Sequence, residues 1–159
     1  MTHTGRKVRR LGEAITWRTR QIGPVVFTNG VFDLIHPGHV ELLDSARGEG
    51  IVLIVGLNSD ASVRRLGKGA GRPLVAEAAR ARVLAGLAAV DCVVLFEEET
   101  PLELIKSLAP DVLVKGEDYS RDEIIGGDWI ESRGGKVVRV PLVQGFSTSS
   151  LVERLRATS

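Results

Sequence analysis

Five short blocks of this chain are close to continuously apolar instead of alternating, and that pattern limits the fold more than any other feature. They are Pro24–Thr28 (PVVFT), Ile51–Leu57 (IVLIVGL), Cys92–Phe96 (CVVLF), Val112–Lys115 (VLVK) and Lys136–Val140 (KVVRV). Rich in β-branched residues, they have the look of strands covered on both faces. Between them apolar residues repeat at helical spacing: His39, Leu42, Leu43 and Ala46; Val83, Leu84, Leu87 and Ala88; Leu102, Ile105 and Leu108; Leu151, Val152 and Leu155. Strands joined by helical crossovers predict an α/β fold, a five-stranded parallel sheet of Rossmann-like type with helices on both faces. Ligands of such sheets bind beyond the carboxyl ends of the strands, so residues just after the strands are the ones to inspect. Residues 1–23, with Val8, Leu11 and Ile15 in register, are expected as an N-terminal helical segment covering one edge or face of a domain over residues 24–159.

At 159 residues the chain suits one domain, given roughly 100–200 residues per domain. It is 43% hydrophobic and 26% charged, which excludes disorder and coiled coil, and 21 Lys and Arg stand against 20 Asp and Glu. A net charge of +1 gives no reason to expect nucleic-acid or membrane-surface binding, so any phosphate chemistry must come from local clusters. The single cysteine, Cys92, rules out an intramolecular disulfide and a cysteine zinc cage. No apolar run approaches the ~20 residues of a membrane span, and none follows the basic N-terminus, so a cytoplasmic location is expected.

The common nucleotide and hydrolase motifs are missing. No G-x-G-x-x-G occurs after the first strand, no P-loop is present, and H-E-x-x-H and G-x-S-x-G do not occur. The first strand leads instead into Thr28-Asn29-Gly30-Val31-Phe32-Asp33-Leu34-Ile35-His36-Pro37-Gly38-His39. Asn29-Gly30 is a turn pair, and Pro37 suits the first position of a helix. His36 then precedes the helix and His39 lies one turn inside it, so both imidazoles can face one side. They sit at the positive end of the helix dipole, where free backbone N–H groups favour an anion. Two imidazoles over such a terminus make a cradle for a polyphosphate. A metal site built on them lacks an evident third ligand, and no protein-held metal is expected.

His36-x-Gly38-His39 after a strand resembles the signature of the HxGH nucleotidyltransferases. The longer string FTNGVFDLIHPGHVELL is similar to the branch that adenylylates D-glycero-β-D-manno-heptose 1-phosphate. The likeness runs from about Val25 to Leu155 through GLNSDASVRRLGKGAGRP, AAVDCVVLFEEETPLELI, PDVLVKGEDY and GFSTSSLVERL. HxGH alone fixes the superfamily; KGEDY together with the STS helix start points to the heptose branch. One departure is Glu117, where the family form has a second glycine. Cytidylyltransferases of this fold usually carry an arginine shortly before the STS segment, and Pro141–Phe146 has none, which disfavours that alternative.

The resemblance implies transfer of adenylate from ATP to the sugar 1-phosphate, releasing pyrophosphate, with Mg²⁺ bound through the ATP phosphates. It implies His36, His39 and Lys68 in catalysis, and Thr28, Asn29, Gly30, Phe32, Arg72, Arg80, Ser147 and Thr148 around the nucleotide. Asp33, Asn58, Lys115, Gly116 and Asp118 fall to the sugar phosphate, and a homodimer is suggested. Several of these segments also have a reading of their own. Lys68 and Arg72 lie on the glycine-rich stretch Gly67–Pro73, which reads either as a lid over a triphosphate or as an ordinary exposed basic loop. Lys115 could bind phosphate, with Gly116 allowing close approach of the backbone. Ser59 reads equally as a ligand contact or an N-cap, and Ser147-Thr148-Ser149 as an anion site or as capping alone.

Overall fold

The computed structural model describes residues Met1–Ser159. Five strands form one parallel sheet: β1 (Val25–Gly30), β2 (Val52–Asn58), β3 (Cys92–Phe96), β4 (Val112–Gly116) and β5 (Lys136–Val140), in the spatial order β3-β2-β1-β4-β5. The helices are α1 (Leu11–Thr19), α2 (Pro37–Arg47), α3 (Asp60–Arg65), α4 (Glu77–Gly86), α5 (Leu102–Leu108), α6 (Gly127–Ser132) and α7 (Thr148–Ala157). The Rossmann-like α/β architecture expected from the apolar blocks is the one observed. The strands start within a residue of expectation, but β1 runs on to Gly30 and β2 to Asn58.

Alternation along the strands divides the core into two layers. Val26, Leu53, Val55, Val93 and Val114 pack against Leu43 and Ala46 of α2 and against Ala81, Leu84 and Ala85 of α4. Val25, Phe27, Ile54, Val94 and Leu113 pack on the other face against Ala14 of α1, Leu104, Ile105 and Leu108 of α5, and Ile130 of α6. Gly56 serves this second layer, because a Cβ there would lie 2.7 Å from the Phe27 ring. The N-terminal segment does cover an edge: Val8 bridges to Val93 and the Arg9 N–H donates to the Val93 carbonyl at 3.0 Å. That pairing occupies the open side of β3, while β5 guards the opposite edge with Lys136 and Arg139.

Sheet order reverses between β1 and β4, the topological switch point where a crevice forms beyond the strand ends. The two strands pair only at Val26 with Val112 and Phe27 with Leu113. Past that point two side chains span the gap: Thr28 Oγ1 donates to the Val114 carbonyl at 2.8 Å, and Lys115 Nζ donates to the Asn29 carbonyl at 3.1 Å.

Gly50 closes the turn into β2, where a Cβ would meet the Pro24 carbonyl oxygen at 2.4 Å and Val26 Cγ2 at 2.7 Å. Backbone cannot yield as a side-chain tip does. We expect Gly50→Ala to cost about 1–3 kcal/mol, read as a lower urea midpoint; an unchanged midpoint would show that the turn is not packed in this way.

Candidate active site

A cavity of about 700 Å³ opens at the switch point, lined by the ends of β1 and β4 and the N-termini of α2 and α7. Of the residues singled out by sequence, Asn29, Gly30, Phe32, Asp33, His36, His39, Asn58, Lys68, Arg72, Lys115, Gly116, Asp118, Ser147 and Thr148 border it. Thr28 and Arg80 do not.

His36 is the N-cap of α2. Its Nδ1 accepts from the Gly38 N–H at 3.1 Å, and the His36 N–H in turn donates to His39 Nδ1 at 3.3 Å. Each ring therefore carries its hydrogen on Nε2 in the neutral form, leaving that N–H as the unused donor. The rings stack with centroids 3.8 Å apart. Gly38 makes the arrangement possible, since a Cβ there would come within 2.9 Å of the His36 ring. Burial lowers the His36 pKa, and burial together with the His36 charge lowers that of His39 to about 4. Both imidazoles are thus neutral donors at pH 7. The expectation of free backbone N–H groups at this terminus needs correcting: Gly38 donates to His36 Nδ1, and the N–H groups of His39 and Val40 donate to the His36 carbonyl.

The second helix end supplies what the first does not. Ser147 caps α7, with Oγ accepting from the Ser150 N–H at 3.0 Å, and Thr148 Oγ1 donates to the Leu34 carbonyl at 3.3 Å. The backbone N–H groups of Thr148 and Ser149 make no hydrogen bond within the chain, so they are the unpaired donors facing the cavity.

Two lysines face the same space. Lys115 is half-buried, its Nζ lies 4.9 Å from the Tyr119 ring centre, and desolvation lowers its pKa to about 8, Asp118 opposing the shift and Lys68 adding to it. Lys68 has no hydrogen bond or ion pair in the protein. At Gly116 a Cβ would lie 2.6 Å from Asp118 Oδ1, so the glycine lets that carboxylate fold against the strand end. Asn29 Oδ1 is the one buried side-chain polar atom with no partner, and its residue borders the cavity.

Other expected residues are turned to internal tasks. The Arg80 side chain is fully buried. Its Nε donates to the Val75 carbonyl at 2.8 Å, Nη1 to the Val31 and Asn58 carbonyls at 2.8 Å each, and Nη2 to Asp60 Oδ1 at 2.7 Å. It is a strut beneath the cavity and not a phosphate contact, because its side chain has no exposure and four of its five N–H groups are spent inside the protein. Thr28 is likewise engaged with Val114, and the Asn58 amide donates to Ser62 Oγ at 3.0 Å. Asp33 accepts from Arg72 Nε at 2.7 Å and from the N–H groups of Leu74 and Val75 at 2.9 Å each. Burial pushes its pKa up, but those N–H bonds and the Arg72 guanidinium outweigh it and hold the carboxyl below the usual range. Asp33 thereby ties the end of the Gly67–Pro73 loop to the site, and Arg72 reaches the cavity already paired. Ser59 is an N-cap, with Oγ accepting from the Ser62 N–H at 3.1 Å.

Sequence reasoning gave no role to Tyr119, Leu142 or Phe146, which also border the cavity. Their signal was present in position: Tyr119 closes KGEDY, and Phe146 directly precedes the cap of α7.

A model of the cytidylyltransferase-like family matches residues 27–152. The bifunctional protein HldE of Bradyrhizobium diazoefficiens is 58% identical over 140 residues, covering 88% of this chain and 28% of that protein. HldE of Magnetococcus marinus is 60% identical over 133 residues, covering 84% and 27%. The chain therefore spans little more than a quarter of the length of the curated relatives it matches. Among solved structures, the lipopolysaccharide core biosynthesis protein from Thermoplasma volcanium superposes with a TM-score of 0.64 at 27% identity, covering 77% of this chain and 98% of that one. Pantothenate synthetase from Thermus thermophilus superposes with a TM-score of 0.61 at 18% identity, over 92% and 70%, a likeness of fold alone.

Two outcomes test these assignments. Removing the Arg80 guanidinium strands Asp60 and three carbonyls, so Arg80→Met should cost roughly 3–5 kcal/mol in urea unfolding; an unaltered midpoint would overturn its role as a strut. An unfolded chain takes up the His39 proton near pH 6.5 and the folded chain only near 4, so stability is lost as pH falls across that window. The urea midpoint should therefore drop between those values, and drop less in His39→Gln. Parallel pH curves for the two proteins would contradict the burial of a neutral imidazole.

Proposed function

The chain belongs to the cytidylyltransferase-like family, and from that premise we propose its reaction: adenylyl transfer from ATP to D-glycero-β-D-manno-heptose 1-phosphate, giving ADP-heptose and pyrophosphate. It is an enzyme of the nucleotidyltransferase type. The observation that carries the reading is the pair of neutral imidazoles, each with its Nε2–H unused, beside unpaired helix N–H groups in a cavity at the switch point. HldE relatives and a neighbour named for lipopolysaccharide core biosynthesis support a sugar phosphate as acceptor.

The sugar phosphate is already anionic at neutral pH, so its oxygen needs no general base. That oxygen attacks the α-phosphorus of ATP, the bond to the bridging oxygen of the β-phosphate breaks, and pyrophosphate leaves. The protein's task is positioning and charge stabilisation. His36 and His39 donate from Nε2 to oxygens of the α-phosphate and the leaving group. Thr148 and Ser149 hold the nucleotide phosphates through backbone N–H groups at the positive end of α7. Lys68 and Arg72 neutralise the outer phosphates, and Lys115 takes the acceptor phosphate, with Asp118 beside it for a sugar hydroxyl. A divalent ion held through the phosphate oxygens of ATP belongs to the same reading. Bound in that way, Mg²⁺ would offset charge on the departing pyrophosphate. No helix is long and apolar enough to cross a membrane, and a cytoplasmic setting belongs to the same proposal.

Pyrophosphate release, crossing ATP and CTP with the heptose 1-phosphate and glycerol 3-phosphate, tests the reading. Release is expected with ATP and the heptose alone, falling a hundredfold or more in His39→Ala, as for loss of one preorganised donor. Release with CTP and glycerol 3-phosphate would replace both base and acceptor. An unaffected His39→Ala enzyme would overturn the mechanism.

A further inference from the structure

Four rings stand in one column across the site. Phe32 and His39 have centroids 5.2 Å apart with planes at 55°, His39 and His36 are 3.8 Å apart at 25°, and His36 and Phe146 are 6.2 Å apart at 21°. All lie within or near the separations at which aromatic faces and edges attract. The inner end is immovable: Phe32 is buried, with a left-handed φ of 47°, and a Cβ on Gly30 would press on its ring at 3.0 Å. A bulky residue keeps such a backbone only where its surroundings over-determine it. The outer end is the opposite, since Phe146 is 43% exposed and contributes to neither core layer. Its place is set by Gly145 at φ 84° on one side and by the Ser147 cap on the other.

We propose that Phe146 is a positioning residue, closing the column from outside so that Phe32 and Phe146 clamp both imidazoles with their Nε2–H groups directed at the reacting phosphates. This deepens the adenylyl-transfer reading and rests on it for its kinetic arm. Only one hydrogen bond, from the Gly38 N–H, fixes the His36 ring against rotation about χ2. His39 covers one face at 3.8 Å, and the Phe146 ring stands nearly parallel to His36 with its centre 6.2 Å away. Without Phe146 that outer face meets water and the ring can swing, taking the donor off its target. Gly38 keeps the channel open for both neighbours, because a Cβ there would crowd His36 and reach Phe146 Cβ at 3.7 Å.

The test compares the full chain with Phe146→Ala and Phe146→Tyr, by steady-state pyrophosphate release and by NMR titration of the two imidazoles from about pH 4 to 8. Phe146→Ala should lower kcat roughly tenfold or more with KM for ATP little changed, as for a misaligned catalytic group. The His36 titration should move up toward its ordinary value of 6.5 as burial is relieved. Phe146→Tyr should restore both. A rise in KM with kcat intact would make Phe146 a ligand contact and overturn the proposal, as would an unmoved His36 titration in Phe146→Ala. If the unsubstituted chain releases no pyrophosphate from any pair, the adenylyl-transfer reading fails, while the titration still decides whether Phe146 holds His36.

Discussion

A single buried guanidinium joins the chain segments that meet around this cavity. Taking a charge such as Arg80 out of water costs several kcal/mol unless its donors find acceptors and its charge a partner. Those acceptors come from four separate places: Val31 after β1, Asn58 at the end of β2, Asp60 at the start of α3, and Val75 before α4. Each is obliged to sit within hydrogen-bond reach of one side chain. The constraint then passes outward, because the Val75 N–H rests on Asp33 and the other Asp33 oxygen holds Arg72. The lip of the Gly67–Pro73 loop thus hangs from a residue that never touches the cavity.

The strands were legible because burial on both faces leaves continuous apolar blocks, and the histidine pair was legible because His36-Pro37-Gly38-His39 is a local geometry. Polar strand ends were not: Asn29, Gly30 and Asn58 continue the ladder, since register depends on backbone pairing that residue polarity does not reveal. Helix α4 shows the sharper failure. Spacing put Val83 on the buried face, yet Val83 is 48% exposed and Arg80 is buried one turn earlier. Hydropathy ranks those two residues the other way, and hydrogen-bond satisfaction decided the matter. Thr28, Asp33 and Asn58 sat at the correct edge with suitable chemistry, but their polar atoms are paired with Val114, Arg72 and Ser62. Spacing brings residues to an edge without saying which of their atoms remain free once the chain has packed.

The charge state of the cavity bears on how it would act on phosphates. Two imidazoles stacked at 3.8 Å in partial burial repel a second proton, and Lys115 at about 8 is close to giving its proton up. A cradle of fixed, fully charged cations would grip ATP and the transition state alike, and interaction common to both does not raise turnover. Neutral Nε2–H donors behave differently. An approaching phosphate raises their proton affinity, because opposite charge favours the ionised ring. Their hydrogen bonds therefore strengthen as negative charge grows on the oxygens being transferred and released. Burial, and for His39 the charge of its neighbour His36, hold the pair at the neutral end of that range. In the adenylyl transfer proposed above, the electrostatic gain would thereby be kept for the point on the reaction path where charge develops.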